Sequence, residues 1–167
     1  KQVEDSQDFR LIQMKIRVGK QPKSSINELI TALNNESQQG TQQIKDAARY
    51  GLALSLAKGR QFEKARVILT ALTKQTPAQQ HYLTALALND YRDNKPQRSL
   101  SLFRQATQLF PNSPAVNLLY AKVLLHNGKP QQALAYLNQD IQHFNPTPNV
   151  YDLLSIANGQ VNNPVRG

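Results

Sequence analysis

The chain has 167 residues and a formal net charge of +9, from 20 Lys and Arg against 11 Asp and Glu. It contains no Cys, which excludes disulfides, thiolate nucleophiles and Cys-based metal sites. No apolar run approaches the roughly 20 residues that a membrane-spanning helix needs, so no transmembrane segment is predicted. Because the chain starts with Lys rather than Met, we expect it to be a fragment or a processed chain.

Positive charge is concentrated near the N-terminus. Five basic residues and no acidic one occur between Arg10 and Lys23. Such a segment could attract an anionic partner or a membrane surface, although it is more often a solvated face that keeps a protein soluble. Both interpretations stay open.

The first predicted element is a degenerate helical hairpin over residues 6–38. Its two segments, at 6–19 and 24–38, each have the length and apolar spacing of a helix. Ser25 or Ala32 is the candidate small residue of this hairpin.

Three regular units follow, at residues 46–79, 80–113 and 114–147. One constant shift, equal to the length of a unit, aligns two sets of small residues, Ala53, Ala87, Ala121 and Ala65, Ser99, Ala133. Each period holds two apolar stripes with helical spacing, which predicts a helical hairpin. The small residues predict that the two helices of each hairpin cross closely.

Caps and breaks mark the ends of these helices. Starts are predicted at Thr76-Pro77, Ser113-Pro114 and Thr147-Pro148, and Thr76 with Gln79 fits a capping box. Breaks are predicted at 58–60, 93–95 and 127–129, where Gly or Asn can take the left-handed conformation that ends a helix. One further helix, at 148–160, has no partner in the sequence.

This pattern resembles the tetratricopeptide repeat. Unit 80–113 matches the family with the residues Ala87, Ser99, Phe103, Ala106 and Pro111. The other two units depart from it at the third small position, which holds Leu72 in one and Asp140 in the other, and the family's Trp is missing throughout. The resemblance implies an all-α fold, a right-handed α-solenoid of about four hairpins plus one terminal helix within a single repeat domain, 1–167.

Catalytic patterns are lacking. The histidines His81, His126 and His143 fall in different repeats, and no HExxH motif or Gly-rich phosphate loop occurs. We therefore expect no catalytic residue, metal site or cofactor in this chain.

Binding of a protein or peptide is the expected function, because the first helices of stacked hairpins line a concave surface. One face of these helices mixes aromatic, aliphatic and basic groups that suit an extended segment. The predicted partner-binding residues are Tyr50, Lys58, His81, Thr84, Leu88, Tyr91, Arg92, Leu118, Lys122 and His126.

A narrower resemblance covers residues 8–160. DFRLIQMKIRV and AARYGLALSLAKGRQFEKARVILTALTKQTP look like the repeat domain of periplasmic M48-type zinc metallopeptidases that act in outer-membrane β-barrel assembly. The resemblance implies a periplasmic docking domain for outer-membrane proteins and their assembly machinery, with the HExxH and its zinc upstream of this chain. Two alternatives stay open: a free-standing scaffold of an envelope complex, and a basic nucleic-acid binder, which we do not expect because aromatic residues are not interleaved with the basic ones.

Overall fold

The protein is described by a computed structural model that covers residues 6–143 and 147–162. Over these residues the chain forms nine α-helices and no strand, which confirms the predicted all-α, tetratricopeptide-like fold class. In this part of the chain no helix combines the length and apolar character needed to cross a membrane. The helices are α1 (Gln7–Lys20), α2 (Ile26–Glu36), α3 (Gln42–Lys58), α4 (Phe62–Gln75), α5 (Gln80–Arg92), α6 (Pro96–Leu109), α7 (Pro114–His126), α8 (Pro130–His143) and α9 (Pro148–Asn162).

Helices α1 to α5 belong to one compact unit. Its core is filled by leucine side chains with no measurable exposure, among them Leu11, Leu33, Leu69 and Leu72. Helix α3 is central, because α1, α2 and α4 all pack against it. Gly51 of α3 lies under Met14 of α1, and a Cβ at this glycine would collide with the Met14 sulfur. The absence of a side chain at residue 51 therefore permits the close approach of α1 to α3.

Helices α6 to α9 belong to the second compact unit. An aromatic cluster links three of its helices: the Phe103 ring stacks on Tyr120 at 5.8 Å, and Tyr120 contacts Tyr136 at 4.8 Å. Leu137 and Ala133 of α8 are fully buried where α8 packs on α7. Such aromatic pairs add stabilisation beyond the area that they bury.

The small residues of the three regular repeats are fully buried, whereas Ser25 and Ala32, the candidates in the first hairpin, are only half-buried. Each residue of the two aligned sets has a relative exposure of 0%, including Ser99, the one polar member. Any larger side chain at these positions would have to displace packed neighbours, because protein interiors lack spare volume. The repeating pattern of small residues therefore reports the packing of the core.

Two of the three predicted helix starts are correct. The Ser113 hydroxyl accepts a hydrogen bond from the Val116 N–H, and α9 begins at Pro148. The start predicted at Thr76-Pro77 is wrong, since these residues form a turn and α5 begins at Gln80. The side chain of Gln79 caps α5 by accepting from the His81 N–H, while its Nε2 donates to Asp8 of α1 at 2.9 Å. Gln79 therefore both caps α5 and joins its start to α1.

Each of the three helix breaks contains the same type of backbone hydrogen bond, once in each of the repeats 46–79, 80–113 and 114–147. The N–H groups of Gln61, Lys95 and Lys129 donate to the carbonyls of Leu56, Asp90 and Leu124 at 2.8, 2.9 and 2.9 Å. The residue before each donor has a positive φ: Arg60 at 64°, Asn94 at 61° and Gly128 at 69°. This is the Schellman termination, which requires one left-handed residue. The prediction is correct for Asn94 and Gly128, but at the first break Arg60, and not Gly59, takes the left-handed conformation.

Candidate functional site

The predicted binding face occupies equivalent positions on α3, α5 and α7. Tyr50, Thr84 and Leu118 are one repeat apart from each other, as are Lys58, Arg92 and His126. Equivalent positions nevertheless have different surroundings, which are described below helix by helix.

On α3, the predicted residues are used for packing inside the first unit. Tyr50 is only 1% exposed, and its ring lies 5.7 Å from that of Tyr82 and 6.4 Å from that of His81. Burial raises the pKa of the Tyr50 hydroxyl, so this group stays protonated. Tyr50 is therefore corrected from a partner-binding residue to a core residue.

Lys58 holds the end of α1. Its ammonium group donates to the carbonyls of Val18 at 2.8 Å, Gly19 at 3.1 Å and Gln21. These carbonyls lie at the end of α1, where a helix leaves carbonyls without intrahelical partners. A cation there also interacts favourably with the negative end of the helix dipole. This role of Lys58 could not be predicted from the sequence, because nothing in α3 indicates where α1 ends in space.

On α5, exposure increases toward the C-terminus. His81, Leu88 and Tyr91 are half-buried and Arg92 is exposed. The Thr84 hydroxyl, which is also half-buried, donates to the carbonyls of Gln80 and His81 within the helix. The last turn of α5 thus combines an aromatic ring with an accessible guanidinium group.

The electrostatics of α5 distinguish its two basic side chains. Burial lowers the pKa of His81, the positive charge of Lys15 lowers it further, and Asp8 acts in the opposite direction. His81 is therefore neutral at neutral pH. Arg92 carries a permanent charge and can pair with a carboxylate in a bidentate geometry.

In the second unit, α7 presents a comparable face. Leu118 is half-buried, whereas Lys122 and His126 are exposed. These residues are spaced four apart, so they lie on one side of the helix. An aliphatic contact followed by basic groups suits a protein segment that carries carboxylates.

Buried polar groups elsewhere serve the fold. Arg66 Nε lies 3.3 Å from Oδ1 of the buried Asp90, and the amide of Asn89 donates to the Phe62 carbonyl at 3.0 Å.

Among the residues that the structure describes, no three His, Cys, Asp or Glu side chains are grouped so that they could hold a metal ion. The exposed side chains on α5 and α7 are suited to binding a partner.

Helical hairpins repeated at a constant spacing, with small residues buried in both helices, are the arrangement that tetratricopeptide repeats have. Residues 91–156 match the tetratricopeptide repeat family, which confirms the resemblance inferred from the sequence. This repeat is a non-catalytic module whose general role is binding other proteins.

Particular relatives are more informative than the family. The chain is 30% identical over 161 residues, 96% of its length, to the beta-barrel assembly-enhancing protease of Escherichia coli K12, and equally so to that of Shigella flexneri. Identity to the protein of the same name from Yersinia pestis is 27% over 154 residues, 91% of the chain. The matches cover only 32% and 31% of these relatives. The chain thus spans about a third of the length of these relatives, and its predicted similarity to a protease of β-barrel assembly is confirmed.

Proposed function

We propose that the chain is the partner-docking domain of an envelope protease and that it holds outer-membrane β-barrel proteins, or the factors that assemble them, in the periplasm. The observation that carries the proposal is the similarity of 96% of the chain to proteins named beta-barrel assembly-enhancing protease. The zinc and the catalytic groups of such a protein belong, in this proposal, to its remaining part. The sequence that precedes Lys1 in the full-length gene product tests this division, and an HExxH motif is expected there.

The exposed basic residues on α5 and α7 are the proposed contact points. Arg92, Lys122 and His126 are accessible, while Leu88, Tyr91 and Leu118 beside them are half-buried. On either helix, a partner segment would place aliphatic or aromatic side chains against the half-buried groups and a carboxylate against Arg92 or Lys122. Tyr50 and Lys58 are left out of this proposal because packing already occupies them.

A binding titration tests the proposal. A fluorescent outer-membrane β-barrel protein, unfolded in urea and diluted into buffer, is titrated with the purified chain. We expect Arg92→Ala with Lys122→Ala to weaken binding about fivefold to tenfold, since each exposed charge pair contributes less than about 1 kcal/mol.

The matched control removes the same charge elsewhere. Lys64 and Lys74 are exposed on α4, and Lys64→Ala with Lys74→Ala also lowers the net charge by two. This variant should bind as the parent does. If both double variants lose affinity equally, binding depends on net charge alone and the assignment to α5 and α7 is wrong.

A further inference from the structure

A groove in the first unit is separate from the face proposed above. It lies beside α1, the turn after α2 and the first turns of α3, and it has a volume of about 830 Å³. We call it the α1 groove and define it by Met14, Ile16, Arg17, Lys20, Glu36 and Ile44.

Apolar side chains are unusually accessible around this groove. Ile16 is 50% exposed and Ile44 is 44% exposed, and Ile12, one turn before Ile16, is 45% exposed. These are three of the seven large hydrophobic side chains that are exposed among the described residues. Isolated exposed apolar residues need no explanation. Here Ile16 and Ile44 both line one concave site, and Ile12 lies one turn outside its lining, which indicates an interaction surface.

The margin of the groove is positively charged. Among the described residues, Arg10, Arg17 and Lys20 line it together with a single carboxylate, Glu36. That carboxylate already accepts hydrogen bonds from both terminal nitrogens of Arg17, at 2.8 and 3.0 Å. Arg10 and Lys20 therefore leave positive charge along the α1 side of an apolar cavity, and the site favours an occupant with acidic groups beside apolar ones.

We propose that the α1 groove binds a short amphipathic helix of a partner protein, with leucine-like side chains on the face that enters the groove and carboxylates along its flanks. The α1 residues that line the groove run from Arg10 to Lys20, which at about 1.5 Å per residue gives a length of about 15 Å, or three helical turns. An apolar helix face laid into a groove is a common mode of peptide recognition.

Other classes of occupant fit less well. A flat bilayer surface would reach Ile12 and Ile16 but not Ala47, which lines the groove at only 5% exposure. Single-stranded nucleic acid is held by aromatic side chains on which bases stack, and none of the described residues that line this groove is aromatic.

A pair of synthetic helices tests the proposal. One fluorescent 14-residue peptide carries leucine at positions 1, 4, 8 and 11 with glutamate at the flanking positions, and the other has lysine in place of each glutamate. Titrated with the full chain and followed by anisotropy, the glutamate peptide should bind at least about tenfold more tightly than the lysine peptide. Its affinity should fall as salt is raised, because exposed charges are screened.

Two isoleucine variants provide the matched comparison. Ile16→Gln should weaken binding of the glutamate peptide by about tenfold or more, whereas Ile156→Gln, at a residue 49% exposed on α9, should leave it unchanged. Both changes are at exposed positions, and thermal melting by circular dichroism checks that both proteins stay folded. Arg92→Ala with Lys122→Ala should bind this peptide normally, which separates the groove from the face proposed above.

Several results would overturn the proposal. These are equal binding of the two peptides, no binding of the glutamate peptide below about 1 mM, and no effect of Ile16→Gln. Binding to anionic phospholipid vesicles without peptide binding would assign the site to a membrane surface. Self-association that Ile16→Gln abolishes, seen by sedimentation, would assign it to a second copy of the chain.

Discussion

Asn117 donates a hydrogen bond from Nδ2 to Oδ1 of Asp140 across 2.9 Å, joining α7 to α8 in the interior of the second unit. Both residues are 1% exposed. Asp140 takes the position that Leu72 and Ala106 hold in the two preceding repeats. Its second oxygen, Oδ2, is buried with no hydrogen-bond partner among the described residues. A carboxylate at a core position is thus only partly satisfied.

This pair predicts a pH-dependent stability. Burial raises the pKa of Asp140, and the hydrogen bond from Asn117 opposes that rise. A raised pKa means that the folded chain takes up the proton more readily than the unfolded chain does. The contribution to stability is therefore full below the unfolded pKa, about 3.9, and is lost as pH rises through the folded pKa.

Asp140→Asn should remove this dependence. It keeps an oxygen for Asn117 and removes a buried charge, so we expect the free energy of unfolding at pH 7 to rise by about 1 kcal/mol. The gain should vanish near pH 4, as measured by urea unfolding at both pH values. Equal changes in the free energy of unfolding at the two pH values would mean that the pKa of Asp140 is the same in the folded and the unfolded chain. The complementary change, Asn117→Ala, should cost about 1.5–3 kcal/mol at pH 7.

Two glycines in different backbone conformations predict opposite effects of alanine on the free energy of unfolding. Gly128 has a φ of 69°, and no described atom outside its own chain neighbours lies within 4 Å of the point where an alanine methyl would sit. Gly128→Ala should therefore lose about 1–2 kcal/mol through backbone strain alone. Gly159→Ala, in the interior of α9 with equally open space, should gain about 0.5–1 kcal/mol. Thermal melts of the two variants check the sign, and destabilisation by both would contradict the account.

The crossing of α7 and α8 predicts a cost of enlarging Ala121. This residue is 0% exposed, and Ala121→Leu should overpack the core by about 1–3 kcal/mol. Ala135 is exposed on α8, so Ala135→Leu serves as the control and should change stability by less than about 0.5 kcal/mol. Urea denaturation measures both, and a parent-like Ala121→Leu protein would show that this interior has spare volume.

The contacts of Lys58 predict a local effect on α1. Lys58→Met keeps most of the apolar stem but removes the cation from the carbonyls at the end of α1, at an expected cost of about 1.5–3 kcal/mol. Hydrogen exchange should lose protection in α1 first, because the lost bonds tie that helix alone. Lys64→Met, at an exposed position of α4, is the control. Unchanged protection of α1 would mean that apolar packing and the other hydrogen bonds of α1 hold this helix without Lys58.

Much of the fold follows from the sequence because every unit of the repeat imposes the same packing requirement. Ala53, Ala87 and Ala121 could be recognised as core residues from their spacing. The start of α5 could not be placed, since its cap is Gln79, which is not one of the residue types that usually cap helices.

The candidate site is less accessible to sequence reasoning. Equivalent repeat positions predicted one continuous binding face. In the first unit, however, Tyr50 is buried in the core and Lys58 donates hydrogen bonds to α1. That difference arises because α3 has α1 beside it, and no pattern within a single repeat encodes the identity of its neighbour. For the α1 groove, only the positive charge between Arg10 and Lys23 could be read from the sequence. The exposure of Ile16 and Ile44 could not be predicted, because it depends on how α1 lies against α3.

Photo-crosslinking tests the central claim, that α5 and α7 carry the contact with a protein partner, most directly. Benzoylphenylalanine is placed singly at Arg92, Lys122, Lys64 or Lys74 of the purified chain, which is irradiated with an outer-membrane β-barrel protein freshly diluted from urea. The account predicts crosslinks from positions 92 and 122, identified by mass spectrometry, and background labelling from positions 64 and 74. Crosslinks of equal yield from positions 64 and 74, or none from 92 and 122, would contradict it.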